Sequence, residues 1–144
     1  MSVLEKYSQD FFLLLESGFI AVNQMDEESS IRLFKAAEIL NNKNPLSKIG
    51  FGYLHLHKLE LKKAITLFEG VLKEDPKNEM AKTFMGIALS MTPNDLNKGE
   101  NLLEQNLKSD NADIKKLAQI ALDFVDRFVK KEPSPVEGKK KKKD

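Results

Sequence analysis

"FGYLHLHKLELKKAITLFEGVLKEDP", residues 51–76, opens on a Phe-Gly pair, runs through Ala-x-x-x-Phe and reaches a proline. These features recur. A step of 34 residues from Gly52 lands on Gly18 behind and Gly86 ahead, and from Phe68 on Phe34 and Leu102. The same step takes Ala64 to Ser30 and Lys98, Val71 to Ala37, Phe51 to Met85, and Leu54 to Ile20 and Ala88. Three of the seven glycines fall in this register, each with Phe or Leu 16 residues later. A fixed period of this size is the mark of a repeat architecture.

Each copy reads as two helices and a turn. A small residue at 52 lets the first helix of the pair lie close against the second, and a small residue at 64 does the same from the other side. Phe68 fills the space between them, and Pro76 ends the second helix because the residue before a proline avoids the α conformation. Asn44-Pro45 reads as a capped start for the second pair, and Asp95 as a cap inside the third. An extra residue in the turn "TPND" would bring Gly99 into the place of Lys98. The stretch "DNADIKKLAQIALDFVDRFVKK" then sets Ile114, Leu117, Ala118, Ala121, Leu122, Val125 and Phe128 at helical spacing, as a closing helix over the last pair.

The period, the Gly positions and the Ala-x-x-x-Phe motif resemble the tetratricopeptide repeat. The large aromatic usual near the start of its first helix is replaced by Lys48 and Lys82, and its Tyr-like position by Ala21, His55 and Leu89. The expected fold is therefore all-α: three degenerate tetratricopeptide-like helix pairs in a short right-handed solenoid, plus a C-terminal capping helix. Its expected bounds are repeats at about 11–44, 45–78 and 79–111, and a cap at 112–131, which make one domain over 1–131. Residues 132–144 contain two prolines and five consecutive lysines without apolar periodicity, and are expected to be disordered.

In this repeat family the second, fifth, ninth and twelfth positions of the first helix line the concave face. With the glycines as the eighth position, the resemblance assigns Phe12, Leu15, Phe19 and Val22 to that face in the first copy. It assigns Leu46, Ile49, Tyr53 and Leu56 in the second, and Met80, Thr83, Ile87 and Ser90 in the third. Nearly all are apolar, so the groove lacks the donors a carboxylate tail needs and suits an amphipathic helix laid along it. The second, fifth and ninth positions are expected to be surplus to the core, so that a charge at Tyr53 or Ile87 abolishes partner binding and spares helicity. Burial of about 500 Å² of apolar surface by a partner would yield on the order of 12 kcal/mol gross, much of it offset by ordering and association costs.

Composition narrows the partner. The chain has no cysteine, so disulfides, thiol nucleophiles and Cys-based zinc sites are excluded. No cofactor or metal is expected: His55 and His57 stand about 200° apart on a helix and cannot chelate one ion together. No phosphate loop, nucleophile elbow or zinc motif is present, so no enzymatic activity is expected. Residues 130–144 hold seven lysines against three acids (+4), which leaves −3 of the net +1 on the rest. An acidic body without a basic stripe predicts no nucleic-acid partner, and no apolar run is long enough for membrane insertion. With no basic, apolar leader at the N-terminus, a cytoplasmic protein is expected.

Three repeats, a closing helix and an apolar groove are similar to the small tetratricopeptide chaperones of bacterial type III secretion, more to those of the needle subunit than to the longer translocator chaperones. That resemblance implies a client, the C-terminal amphipathic helix of a secreted, polymerisation-prone needle-type subunit, held in the groove. It also implies a small helical co-chaperone on the N-terminal repeat, where "YSQDFFLLLESGFIAV" carries more apolar surface than one pair can bury. The alternatives are a tetratricopeptide scaffold or adaptor joining folded proteins, and a translocator chaperone.

Overall fold

The computed structural model describes residues 3–130, with side chains from Gln9 onward. Its chain forms α1 (Val3–Asn23), α2 (Glu27–Leu40), α3 (Leu46–His57), α4 (Leu61–Glu74), α5 (Glu79–Ser90), α6 (Leu96–Asn106) and α7 (Ala112–Phe124), closed by a π-helical turn at Val125–Val129. Among the described residues there is no strand. The Lys-rich segment 132–144, expected to be disordered, lies outside the described residues.

Local chemistry sets the helix ends. Asp26, Asn78 and Asn111 accept hydrogen bonds from the first free N–H groups of α2, α5 and α7, at Ser29, Ala81, and Asp113 with Ile114. Before α3, Asn44 accepts from the Leu46 N–H at 2.9 Å, and Pro45 takes the cap position. Asp95 occupies the cap position of α6, but its side chain makes no capping bond; its carbonyl accepts from Gly99 instead.

The turns inside the first two pairs are copies. Met25 (φ 61°) and Leu59 (φ 58°) are both left-handed and 34 residues apart. The Met25 and Asp26 N–H groups donate to Val22 and Ala21, as those of Leu59 and Glu60 donate to Leu56 and His55. This is the Schellman closure, which ordinarily recruits glycine. The third left-handed residue, Asn94 (φ 71°), comes 35 residues after Leu59. The extra residue is therefore in "TPND".

Helices pack in sequence, and α1 also touches α3, α3 touches α5, and α5 touches α7. Phe34 and Phe68 are fully buried, and each needs a glycine opposite. A Cβ at Gly18 or Gly50 would come within 2.5 Å of the Phe34 ring, and one at Gly52 within 2.7 Å of Phe68 Cζ. In the third pair Gly86 faces Leu103, which is fully buried, and the small residue is Gly99. Gly99 thus stands where the extra residue of "TPND" was expected to bring it, and Leu102 is corrected by one residue to Leu103, because the turn insertion shifts α6 in phase.

Candidate interaction face

The twelve residues assigned to the concave face divide by burial. Leu15, Ile49, Leu56 and Thr83 are buried inside the chain, as are Val22 and Ser90. The fifth and twelfth positions therefore belong to the core and are not surplus to it, because the second helix of each pair leans over them. Phe19, Leu46, Tyr53, Met80 and Ile87 are half-buried, and Phe12 is 55% exposed.

One cluster brings most of the set together. Phe19, Leu46, Tyr53, Met80 and Ile87 all pack at the edge of the core formed by Ile49, Leu56, Phe68 and Phe84. Rings step across it from helix to helix, Phe19 to Tyr53 at 5.1 Å and Tyr53 to Phe84 at 5.1 Å. Leu15 lies in the N-terminal core with Phe11 and Phe34. Thr83 accepts a hydrogen bond from the Asn106 side chain at 2.8 Å, in a polar version of the contact that Ile49 and Val71 make with apolar groups.

Tyr53 joins both cores, and its hydroxyl donates to Asn23 Oδ1 at 2.6 Å. Burial pushes its phenol up in pKa, with the Asn23 bond acting in the opposite direction. A charge at Tyr53 would therefore disturb the fold itself, contrary to the expectation that helicity is spared. Ile87 is different, since it opens onto a cleft.

That cleft, of about 220 Å³, lies between α5 and α7. Ile87 and Met91 line one wall, and Leu117, Ile120, Ala121, Phe124 and Val125 the other. Ile120 and Phe124, which the inward-facing pattern of α7 does not include, are substantially exposed, at 55% and 45%. Their signal was present in the width of the apolar arc on α7, which exceeds what one packing contact can cover. Phe128, expected to point inward, is 66% exposed. The π-helical turn, closed by the Lys130 N–H donating to the Val125 carbonyl, carries it to the side of Phe124, with the two rings 5.1 Å apart. Lys130 then pairs with Glu100 and ties this end to α6.

Further apolar side chains are exposed on α1, at Phe12, Leu13 and Ile20, and elsewhere at Met25, Ile39 and Leu59. The equivalents of the three α1 residues in the next pair, Leu46, Ser47 and Leu54, are half-buried or buried, since α1 and α2 cover that side of α3. On α1 the equivalent side meets no helix among the described residues and stays exposed.

One cluster of ion pairs joins the first two helix pairs. Lys58 bridges Glu27 of α2 at 2.7 Å and Glu60 at 2.8 Å, and Lys63 reaches Glu60 at 2.8 Å. Hydrogen bonds from Lys58 and then Lys63 hold the Glu60 carboxyl down to about 2. His55 Nδ1 sits 3.4 Å from Glu60, whereas His57 Nδ1 meets the Tyr53 carbonyl at 3.3 Å. Among the described residues no three His, Asp or Glu side chains gather as a metal site, and no helix is long and apolar enough to cross a membrane.

Comparison of the chain with protein-family models, with curated proteins and with solved structures finds no match.

Proposed function

We propose that the chain is a tetratricopeptide-like right-handed solenoid that binds an amphipathic helix of another protein and performs no catalysis. The observation that carries this is the wholly apolar cleft between α5 and α7, continuous through Ile87 with the half-buried row Phe19, Tyr53 and Met80. A cleft with apolar walls and exposed Ile and Phe at its rim accepts the apolar stripe of a helix, which supplies anchors at three- and four-residue spacing. Large exposed apolar patches on small proteins commonly mark interaction sites.

The sequence resemblance names the partner class. In this reading the protein is a cytoplasmic chaperone of type III secretion, and its client is a needle-type subunit whose polymerising helix is kept covered until export. The uncovered α1 side, with Phe12, Leu13 and Ile20, is the place for the small helical co-chaperone.

Co-expression with a needle-type subunit tests the reading, with mass and stoichiometry measured on the purified complex. A soluble complex in which the subunit stays monomeric is expected. Ile87→Asp should release the subunit while circular dichroism stays close to wild type, at a moderate cost in denaturation because Ile87 is half-buried. A subunit that polymerises at the same rate with and without the chain contradicts a chaperone role, and stable binding of large folded proteins unaffected by Ile87→Asp would indicate an adaptor.

A further inference from the structure

Helix α7 and the π-helical turn that follows it carry two apolar stripes, and the fold uses one. Ile114, Ala118, Ala121 and Val125 are buried against the rest of the chain, where α7 meets α5 and α6. Ile120, Phe124 and Phe128 follow each other at four-residue spacing on a second stripe and remain 45–66% exposed. Beside them runs an exposed row of alternating sign, Asp113, Lys116, Asp123 and Arg127. Among the described residues none of these four makes an ion pair within the chain; Asp123 accepts only from Gln119.

The order of that row decides what can cover the stripe. Reading −, +, −, + along the helix, it becomes +, −, +, − when reversed. A copy of α7 laid antiparallel about a two-fold axis beside Ile120 places Asp113 opposite Arg127 of the other copy, and Lys116 opposite Asp123. The same axis sets Ile120 on its own equivalent and Leu117 against Phe124. The α1 stripe has no such property, because Asp10 and Glu16 flank it and would repel their equivalents. We propose that the chain forms a two-fold homodimer through antiparallel packing of α7, with Ile120 at the axis and the charged row fixing the register. Closed two-fold pairs are the commonest oligomers, and each uses one self-complementary patch. Apolar burial supplies the affinity and the row supplies orientation, since like charges in juxtaposition disfavour any other register.

Ile120 and Phe124 also line the cleft, so self-association and occupation of the cleft by a partner helix exclude one another. The proposal concerns the chain alone and does not depend on which partner the cleft takes.

Sedimentation velocity of the full chain without partner, over a wide concentration range, tests it. A reversible monomer–dimer equilibrium is expected. Ile120→Lys should give monomer throughout, and its 55% exposure leaves the fold undisturbed by circular dichroism. Arg127→Asp should weaken the dimer roughly tenfold by setting Asp113 against a like charge, and Arg127→Asp with Asp113→Arg should restore it. Leu13→Lys on α1 should leave it unchanged. A wild-type monomer at every concentration, a dimer indifferent to Ile120→Lys, a double swap that fails to recover, or a dimer abolished by Leu13→Lys each overturns the proposal. None of these readings uses a client, so they are independent of the chaperone test.

Discussion

The second and third helix pairs solve one packing problem in two ways. In the second, Gly52 admits the large ring of Phe68, and Ile49 with Val71 seals the same core by apolar contact. In the third, Gly86 faces the smaller Leu103, and two backbones approach where the ring would have been. A Cβ on Gly99 would come within 2.6 Å of the Gly86 carbonyl and 2.5 Å of the Ser90 nitrogen. Hydrogen bonds replace the lost apolar contact: Ser90 donates to the Gly86 carbonyl at 2.7 Å, and Asn106 donates to Thr83 at 2.8 Å. The second pair is held by volume, the third by close approach and satisfied polar groups, so the two should fail differently.

The largest expected effect is in the second pair. Phe68→Ala should cost about 3–5 kcal/mol in urea denaturation, through the cavity left by a fully buried ring. In the third pair Gly99→Ala should cost about 1–3 kcal/mol, because backbone, unlike a side-chain tip, cannot move aside locally. Asn106→Ala should cost a similar amount, about 1–3 kcal/mol, by stripping a buried partner from Thr83. Supplying the apolar pair of the other repeat, Thr83→Ile with Asn106→Val, should recover much of that loss. If it recovers nothing, the two interfaces are not variants of one design.

The turns predict a gain of stability. Leu59 adopts a left-handed conformation that costs a branched side chain about 1 kcal/mol, and 69% exposure means little contact is lost on its removal. Leu59→Gly should therefore raise the melting temperature, and Met25→Gly should do the same at the equivalent turn. Asn94→Gly should gain less, since asparagine tolerates this region. Equal gains at all three would show that strain at the apolar residues is not the cause.

The smallest effect concerns charge. Because Glu60 has a folded pKa depressed to about 2 from 4.5, its contribution is present above about pH 4.5 and fades as pH falls toward 2. The difference between wild type and Glu60→Gln should be small at neutral pH, since the partner lysines Lys58 and Lys63 are exposed, and should vanish in acid. A difference that grows on acidification contradicts the sign.

Much of this arrangement was legible in the sequence. Gly18, Gly52 and Phe68 announced the helix pairs because a ring that needs a glycine opposite leaves both residues in a fixed register. In the third pair the extra residue of "TPND" points to Gly99, but Leu102 and Leu103 are chemically alike and only the packing shows that Leu103 faces Gly86. The groove was harder to read. A pattern of apolar positions does not distinguish a side chain under a neighbouring helix from one beside it, so Ile49 and Ile87 look alike in sequence although only Ile87 opens onto the cleft. Ile120 and Phe124 stay hidden in the sequence because a single inward stripe already accounts for the helical period of α7.

The most direct test of the central claim is the affinity of a labelled peptide from the C-terminal helix of a needle-type subunit, measured by anisotropy against the intact chain. Binding in the micromolar range or tighter is expected, reduced at least about tenfold by Ile87→Asp and little changed by Leu13→Asp at the far end of the molecule. Absence of binding, or equal loss from both variants, would contradict a helix-binding cleft between α5 and α7.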